Sequence, residues 1–135
     1  MKKLLLVLIC LFSVGIYAQD AQWTTDFEQA MKTAQAQNKP ILMYFKDSQN
    51  CDACKKLEAT VINAPEFAQI ADRVVLVAID NADDSDAAQR KIIHYNNTKT
   101  FPAFVTLNAQ GAPMNEVKVF SDETIEEYIG FLKQL

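Results

Sequence analysis

The chain has 135 residues, half of them apolar and 22% charged, with three glycines and four prolines. That is one domain's worth of chain, with enough apolar side chain for a core and too little Gly and Pro for a disordered or fibrous class. A formal charge of −4 without a Lys/Arg cluster argues against nucleic acid and against a polybasic membrane patch.

Residues 1–18 read as a secretory signal peptide. Lys2 and Lys3 form a positive start, Leu4 to Phe12 is an unbroken apolar run, and Ile16-Tyr17-Ala18 leads into polar Gln19-Asp20. The uncharged stretch from Leu4 to Ala18 is 15 residues, short of the roughly 20 a membrane span needs. Leu8-Ile9 before Cys10 lacks the small residue that lipidation requires, so Cys10 is expected to leave with the signal. Cleavage takes Lys2 and Lys3 with it, moves the formal charge from −4 to −6, and leaves one domain over residues 19–135 with two cysteines, Cys51 and Cys54. Export, to the periplasm, puts both thiols where disulfides persist.

Thr25-x-x-Glu28 has the capping-box pattern, and Phe27, Ala30, Met31 and Ala34 fall on one face of the helix it opens. Asn38-Lys39-Pro40 ends it. Ile41 to Phe45 is a short continuous apolar run, expected as a central strand buried on both faces. A polar turn, Lys46 to Asn50, leads to Cys51; Cys54 to Val61 reads as helix, and Asn63-Ala64-Pro65-Glu66 restarts one toward Ile70. Arg73 to Asp80 is a second buried strand. Asp83 to Tyr95 is a helix with Ala87, Ile92 and Ile93 as its apolar side. Ala103 to Leu107 is a third strand, Asn108 to Gly111 a hairpin turn, and Val117 to Phe120 a fourth strand pairing back. Ser121 caps a last helix with Ile125, Tyr128, Ile129 and Leu132 at helical spacing. The order gives an α/β sandwich with a mixed sheet.

Cys51-Asp52-Ala53-Cys54 follows a buried strand and opens a helix, and Phe101-Pro102 enters a later strand. This resembles the thioredoxin fold over nearly the whole mature chain. Asn38 to Leu42, Cys51 to Glu58, and Thr100 to Val105 ending at Asn108-Ala109-Gln110-Gly111 are similar to exported thioredoxin-related proteins. The resemblance implies a central mixed β-sheet flanked by helices, a cis Phe101-Pro102 bond against the cysteine pair, and a groove at Phe101 and Pro102 where an extended substrate pairs as a strand.

A thiolate, not a thiol, attacks a disulfide, and free cysteine titrates near ~8.5. At a helix start, free backbone N–H groups and the dipole favour the anion, with Lys55 and Lys56 adding to it. Cys51 is therefore the expected nucleophile and Cys54, one turn inward, the resolving thiol. Asp52 opposes thiolate formation at Cys51, which leans the expected direction toward reduction.

Two plainer readings compete. As a staple, a four-residue ring restricts the unfolded chain little, roughly 2 kcal/mol against about 3 for a fifteen-residue loop. A zinc site needs two more ligands, and His94 stands alone in the sequence. The other functional class is a non-catalytic thioredoxin-like binding module with a structural disulfide.

The chain also departs from the family. Tyr44 occupies the strand position nearest to the acid that serves many thioredoxins as proton relay, and Asn50 replaces the usual aromatic before the first cysteine. Asp47 is a solvated turn residue or a substitute proton acceptor. Asn96-Asn97-Thr98 matches a glycosylation sequon of the kind common by chance. Asp80, Asp83, Asp84 and Asp86 lack the glycine and terminal glutamate of a calcium loop. No metal and no organic cofactor is expected, only the Cys51–Cys54 disulfide. The expected partners are protein or small-molecule thiols and disulfides and a redox partner protein; no nucleic acid, no membrane after cleavage, and a monomer.

Overall fold

The computed structural model describes residues 22–121 and 125–135. Residues 1–18, expected as a signal peptide and including Cys10, and the residues between Ser121 and the last helix that its cap would engage, lie outside them. The elements are β1 (Trp23–Thr24), α1 (Phe27–Gln37), β2 (Ile41–Lys46), α2 (Asp52–Leu57) widening into a π-helical segment (Glu58–Ile62), α3 (Pro65–Ala71), β3 (Val75–Asp80), α4 (Asp86–Tyr95), β4 (Ala103–Leu107), β5 (Lys118–Val119) and α5 (Ile125–Lys133).

The sheet order is β1-β3-β2-β4-β5. β3 is parallel to β1 and β2, whereas β4 runs antiparallel to β2 and β5, so the sheet is mixed. β2 is central because its period-two alternation is apolar on both sides. Ile41, Met43 and Phe45 join the core beneath α1 and α4, while Leu42 and Tyr44 join the one beneath α2, α3 and α5. The expected fold class is the observed one.

The differences have local causes. Asp26, not Thr25, caps α1, its carboxylate accepting the Gln29 N–H at 2.9 Å. That shift places Glu28 second in the helix, out of capping-box register, and its carboxylate meets Lys91 at 4.0 Å instead. On α4 the buried residues are Ala88 and Ile92, while Ala87 is exposed and Ile93 is 69% exposed. Ser85 caps a helix that starts three residues later than expected, and the stripe 88, 92, 95 faces the sheet. β1 has two residues, too few to show an alternation; Trp23 holds it by packing on Tyr44 and Phe67.

Candidate active site

Three connections meet at one end of the sheet. β2 and β3 are parallel, with Lys46 opposite Asp80, so the loop after β2 lies beside the loop after β3. β4 is antiparallel to β2 with Ala103 opposite Phe45, which brings Pro102, just before β4, to the same end. Cys51 and Pro102, 51 positions apart in sequence, are thus delivered to one end of the sheet by register alone.

Cys51 is the N-cap of α2. Its sulfur accepts the Cys54 N–H at 3.0 Å, filling the place an Asp or Ser oxygen takes at other helix starts. It is bonded to Cys54, and the Cα atoms are 5.2 Å apart. Cys51 is partly exposed; Cys54, one turn inward, is 3% exposed. Asp52 points into solvent and pairs with Lys55 at 3.6 Å.

The Phe101–Pro102 peptide bond is cis. Pro102 is buried and its carbonyl accepts the Phe120 N–H at 3.2 Å, tying it to the strand that completes the edge. The Phe101 ring is half-buried against the α1–α4 side of the core. The loop before it is organised by Asn96, which is fully buried. Its amide donates to the Thr100 carbonyl at 3.0 Å and its oxygen accepts the Thr98 hydroxyl at 2.7 Å. That burial closes the sequon to any glycan in the folded chain.

Beneath the cysteines, the Tyr44 hydroxyl donates to Glu58 Oε1 at 3.3 Å, and Lys46 Nζ lies 3.9 Å from the same oxygen. Glu58 follows Cys54 by four residues, and its N–H donates to the Cys54 carbonyl, so its carboxylate shares the Cys54 face of the helix. Tyr44 stands at the strand position of the missing acid, and the carboxylate at this point comes instead from Glu58, which the strand pattern does not reveal. Four-residue spacing from Cys54 was the available signal. Burial, then the Glu58 charge, raises the Tyr44 phenol well above its ordinary value, and burial raises Tyr128. Stability gained by keeping both phenols protonated is full below pH about 10 and is lost as pH climbs past it. The urea midpoint is therefore expected to fall between pH 9 and 11, and to fall less in Tyr44→Phe.

The acidic residues around this end are committed to structure. Asp47 accepts the N–H groups of Gln49 and Asn50 and the Asn81 amide. Asp80 accepts from Ser48 and Ala82, Asp83 from Ser85, and Asp86 pairs with Arg90 at 3.8 Å. Asp47 is thus a loop-organising residue. His94 is exposed, its ring edge-on to Tyr95. Among the described residues, no three His, Cys, Asp or Glu side chains converge into a metal-sized group, and no helix is long and apolar enough to cross a membrane.

A family model described as thioredoxin-like matches residues 22–109. No curated protein matches the chain by sequence. Among solved structures it is similar to a DsbH oxidoreductase, with a TM-score of 0.69, 20% identity and 90% of both chains covered. A thioredoxin from Thermus thermophilus gives 0.66 at 20% identity over 85% of this chain and 86% of that one. The C-terminal domain of Neisseria meningitidis DsbD in its oxidised form gives 0.60 at 23% identity over 79% and 90%. The likeness to these structures is one of fold. With the fold, the family match and a bonded Cys-x-x-Cys pair at a helix start in agreement, the chain belongs to the thioredoxin-like family, and its cysteine pair supports thiol–disulfide oxidoreductase chemistry in general.

Proposed function

We propose that the chain is an exported thiol–disulfide oxidoreductase that works in the reducing direction, with Cys51 as nucleophile and Cys54 as resolving thiol. The carrying observation is the asymmetry of the pair: a partly exposed Cys51, its sulfur on a backbone N–H, and Cys54 shielded one turn below. In the reduced protein, the Cys51 thiolate attacks one sulfur of a substrate disulfide. The Cys51–substrate S–S bond forms, and the substrate's other sulfur leaves as a thiolate. Cys54 then gives up its proton and attacks Cys51. The Cys51–Cys54 bond forms, and the second substrate sulfur departs as a thiolate that takes a proton from solvent. Glu58 is the carboxylate suited to receive the Cys54 proton, because it lies on the same helix face and Tyr44 and Lys46 hold it.

Phe101 and Pro102 shape the substrate groove; Phe101 takes part through its backbone, since its ring packs inward. Asp52, next to Cys51, disfavours the thiolate and supports the reducing direction. Residues 1–18 act as a cleaved signal peptide and the mature domain works in the periplasm. No organic cofactor is needed: electrons come from a partner redox protein and go to protein or small-molecule disulfides, and the domain acts as a monomer.

Equilibration with glutathione tests this against a binding module with an inert disulfide. A potential between about −270 and −120 mV, the range of exchange-active proteins, is expected. One below about −300 mV, where structural disulfides sit, favours the module.

A further inference from the structure

The four residues that carry the chain from β2 to Cys51 form no helix or strand, yet three of their four backbone N–H groups are held by carboxylates. Ser48, Gln49 and Asn50 precede Cys51 directly, and each N–H is taken by an aspartate. Asp80 Oδ1 accepts Ser48 at 3.0 Å, and Asp47 Oδ1 accepts Gln49 and Asn50, both at 3.0 Å. The second Asp47 oxygen accepts the Asn81 amide at 2.9 Å, and the Asn81 N–H donates to the Lys46 carbonyl at 2.8 Å. Asn81 is itself braced from α4, where the Gln89 amide donates to the Asp83 carbonyl at 2.8 Å and the Asn81 carbonyl at 3.4 Å. The Asn81 amide, with the two loop N–H groups, holds the Asp47 carboxyl below its ordinary range.

Resting on the exchange reading above, we propose that Asp47, Asp80 and Asn81 are positioning residues: a clasp that holds Cys51 at the start of α2 when its bond to Cys54 opens. In the oxidised chain the disulfide itself keeps the Cys51 sulfur over the Cys54 N–H. Reduction removes that tether. What then keeps the sulfur on its donor is the backbone just before it, pinned by Asp80 to the end of β3 and, through Asp47, to Asn81 beyond it. The charged groups around this end are Asp47 from the loop, Lys46 from β2, Asp80 from β3, Asp52, Lys55 and Lys56 from α2, Glu58 beyond it, and Asp83 and Asp86 past β3. Six of these nine are acidic, so the position of the sulfur on its N–H matters more to the thiolate than it would in a basic setting.

Charge and position predict opposite signs, which makes the clasp testable. Removing a carboxylate near a thiolate, by charge alone, makes the thiol more acidic. Losing the clasp lets the sulfur leave its donor and makes the thiol less acidic. In the reduced full chain, iodoacetamide labelling of Cys51 across pH 5–9, read by mass spectrometry, is expected to slow about threefold at pH 7 in both Asp47→Ala and Asn81→Ala. The paired exchange Asp47→Asn with Asn81→Asp restores the amide–carboxylate bond in reverse and returns the rate to within about twofold of the parent.

Labelling of Asp47→Ala at or above the parent rate overturns the clasp. So does rapid amide hydrogen exchange at Ser48, Gln49 and Asn50 in the reduced parent, a measurement that needs no reactivity at Cys51 and no variant. A parent thiol no more reactive than glutathione, with those three amides protected, overturns the exchange reading and leaves the clasp in place as a structural feature.

Discussion

Cys54→Ala is expected to convert the protein into a trap. Cys51 keeps its place at the start of α2 and still attacks, but nothing one turn below it can resolve the product. Mixed disulfides on Cys51 then persist for about minutes to hours, the timescale of uncatalysed rearrangement. Non-reducing gels and mass spectrometry of periplasmic extracts should recover them, while Cys51→Ser yields none and loses turnover. The asymmetry is the diagnostic part. A symmetrical staple would lose its bond equally in either variant and leave no adducts in one alone. The burial difference, 3% exposure at Cys54 against a partly open Cys51, is why the two variants are expected to differ.

Phe104→Ala is expected to remove about 3–5 kcal/mol of stability, the cost of emptying a buried phenylalanine site, out of a total of about 5–15. Phe104 is fully buried on β4, opposite Tyr44 in the register, with its ring 5.2 Å from Tyr44 and 5.4 Å from Tyr128. Tyr128 in turn donates to the Lys118 carbonyl and stands edge-on to Phe120. The ring therefore joins β2, β5 and α5 and sits two residues past Pro102. Urea denaturation measures the loss. A change below about 1 kcal/mol would contradict this picture of a single aromatic stack across the sheet. Asn96, whose buried amide shapes the loop on the other side of Pro102, has a smaller expected effect, because its lost hydrogen bonds are two rather than a whole packed ring.

How far the fold was legible follows from which residues carry two signals at once. β2 is apolar from Ile41 to Phe45 and β4 is apolar but for Thr106, and β4 has the observed bounds because Leu107 is followed by Asn108, whose carbonyl and side chain close the turn to Gly111 and Ala112. Gly111, at φ +83° with Met31 crowding the space a Cβ would take, explains why that turn needs glycine. Helix phase was less legible. Ile93 and Ile92 are chemically equal, and only the start of α4 at Asp86 decides which one faces the sheet. Neighbouring candidates confused the α1 cap in the same way: Thr25 fits a pattern with Glu28, but Asp26 is the residue whose oxygen reaches the Gln29 N–H.

At the site, Cys51 and Cys54 were legible from spacing and context, since their chemistry is local. Glu58 and Asn81 were not, because each acts across a distance set by the tertiary fold, whereas Asn96 closes a local turn with Thr98 and Thr100. Glu58 meets Tyr44 across 14 positions and Asp47 meets Asn81 across 34. Nothing in the composition of either segment announces such a pairing. Of the acidic residues that looked like a weak metal loop, Asp80 proves to be a hydrogen-bond acceptor for the backbone that leads to Cys51, while Asp83 and Asp86 serve the start of α4.

The central claim is that the Cys51 sulfur is both reachable and ionised near neutral pH in the reduced protein. Its most direct test is the second-order rate of iodoacetamide labelling at pH 7, compared with that of glutathione under the same conditions. Labelling faster than glutathione, confined to Cys51 and leaving Cys54 untouched, is the predicted result. A rate no higher than that of glutathione, or equal labelling of both cysteines, would contradict it.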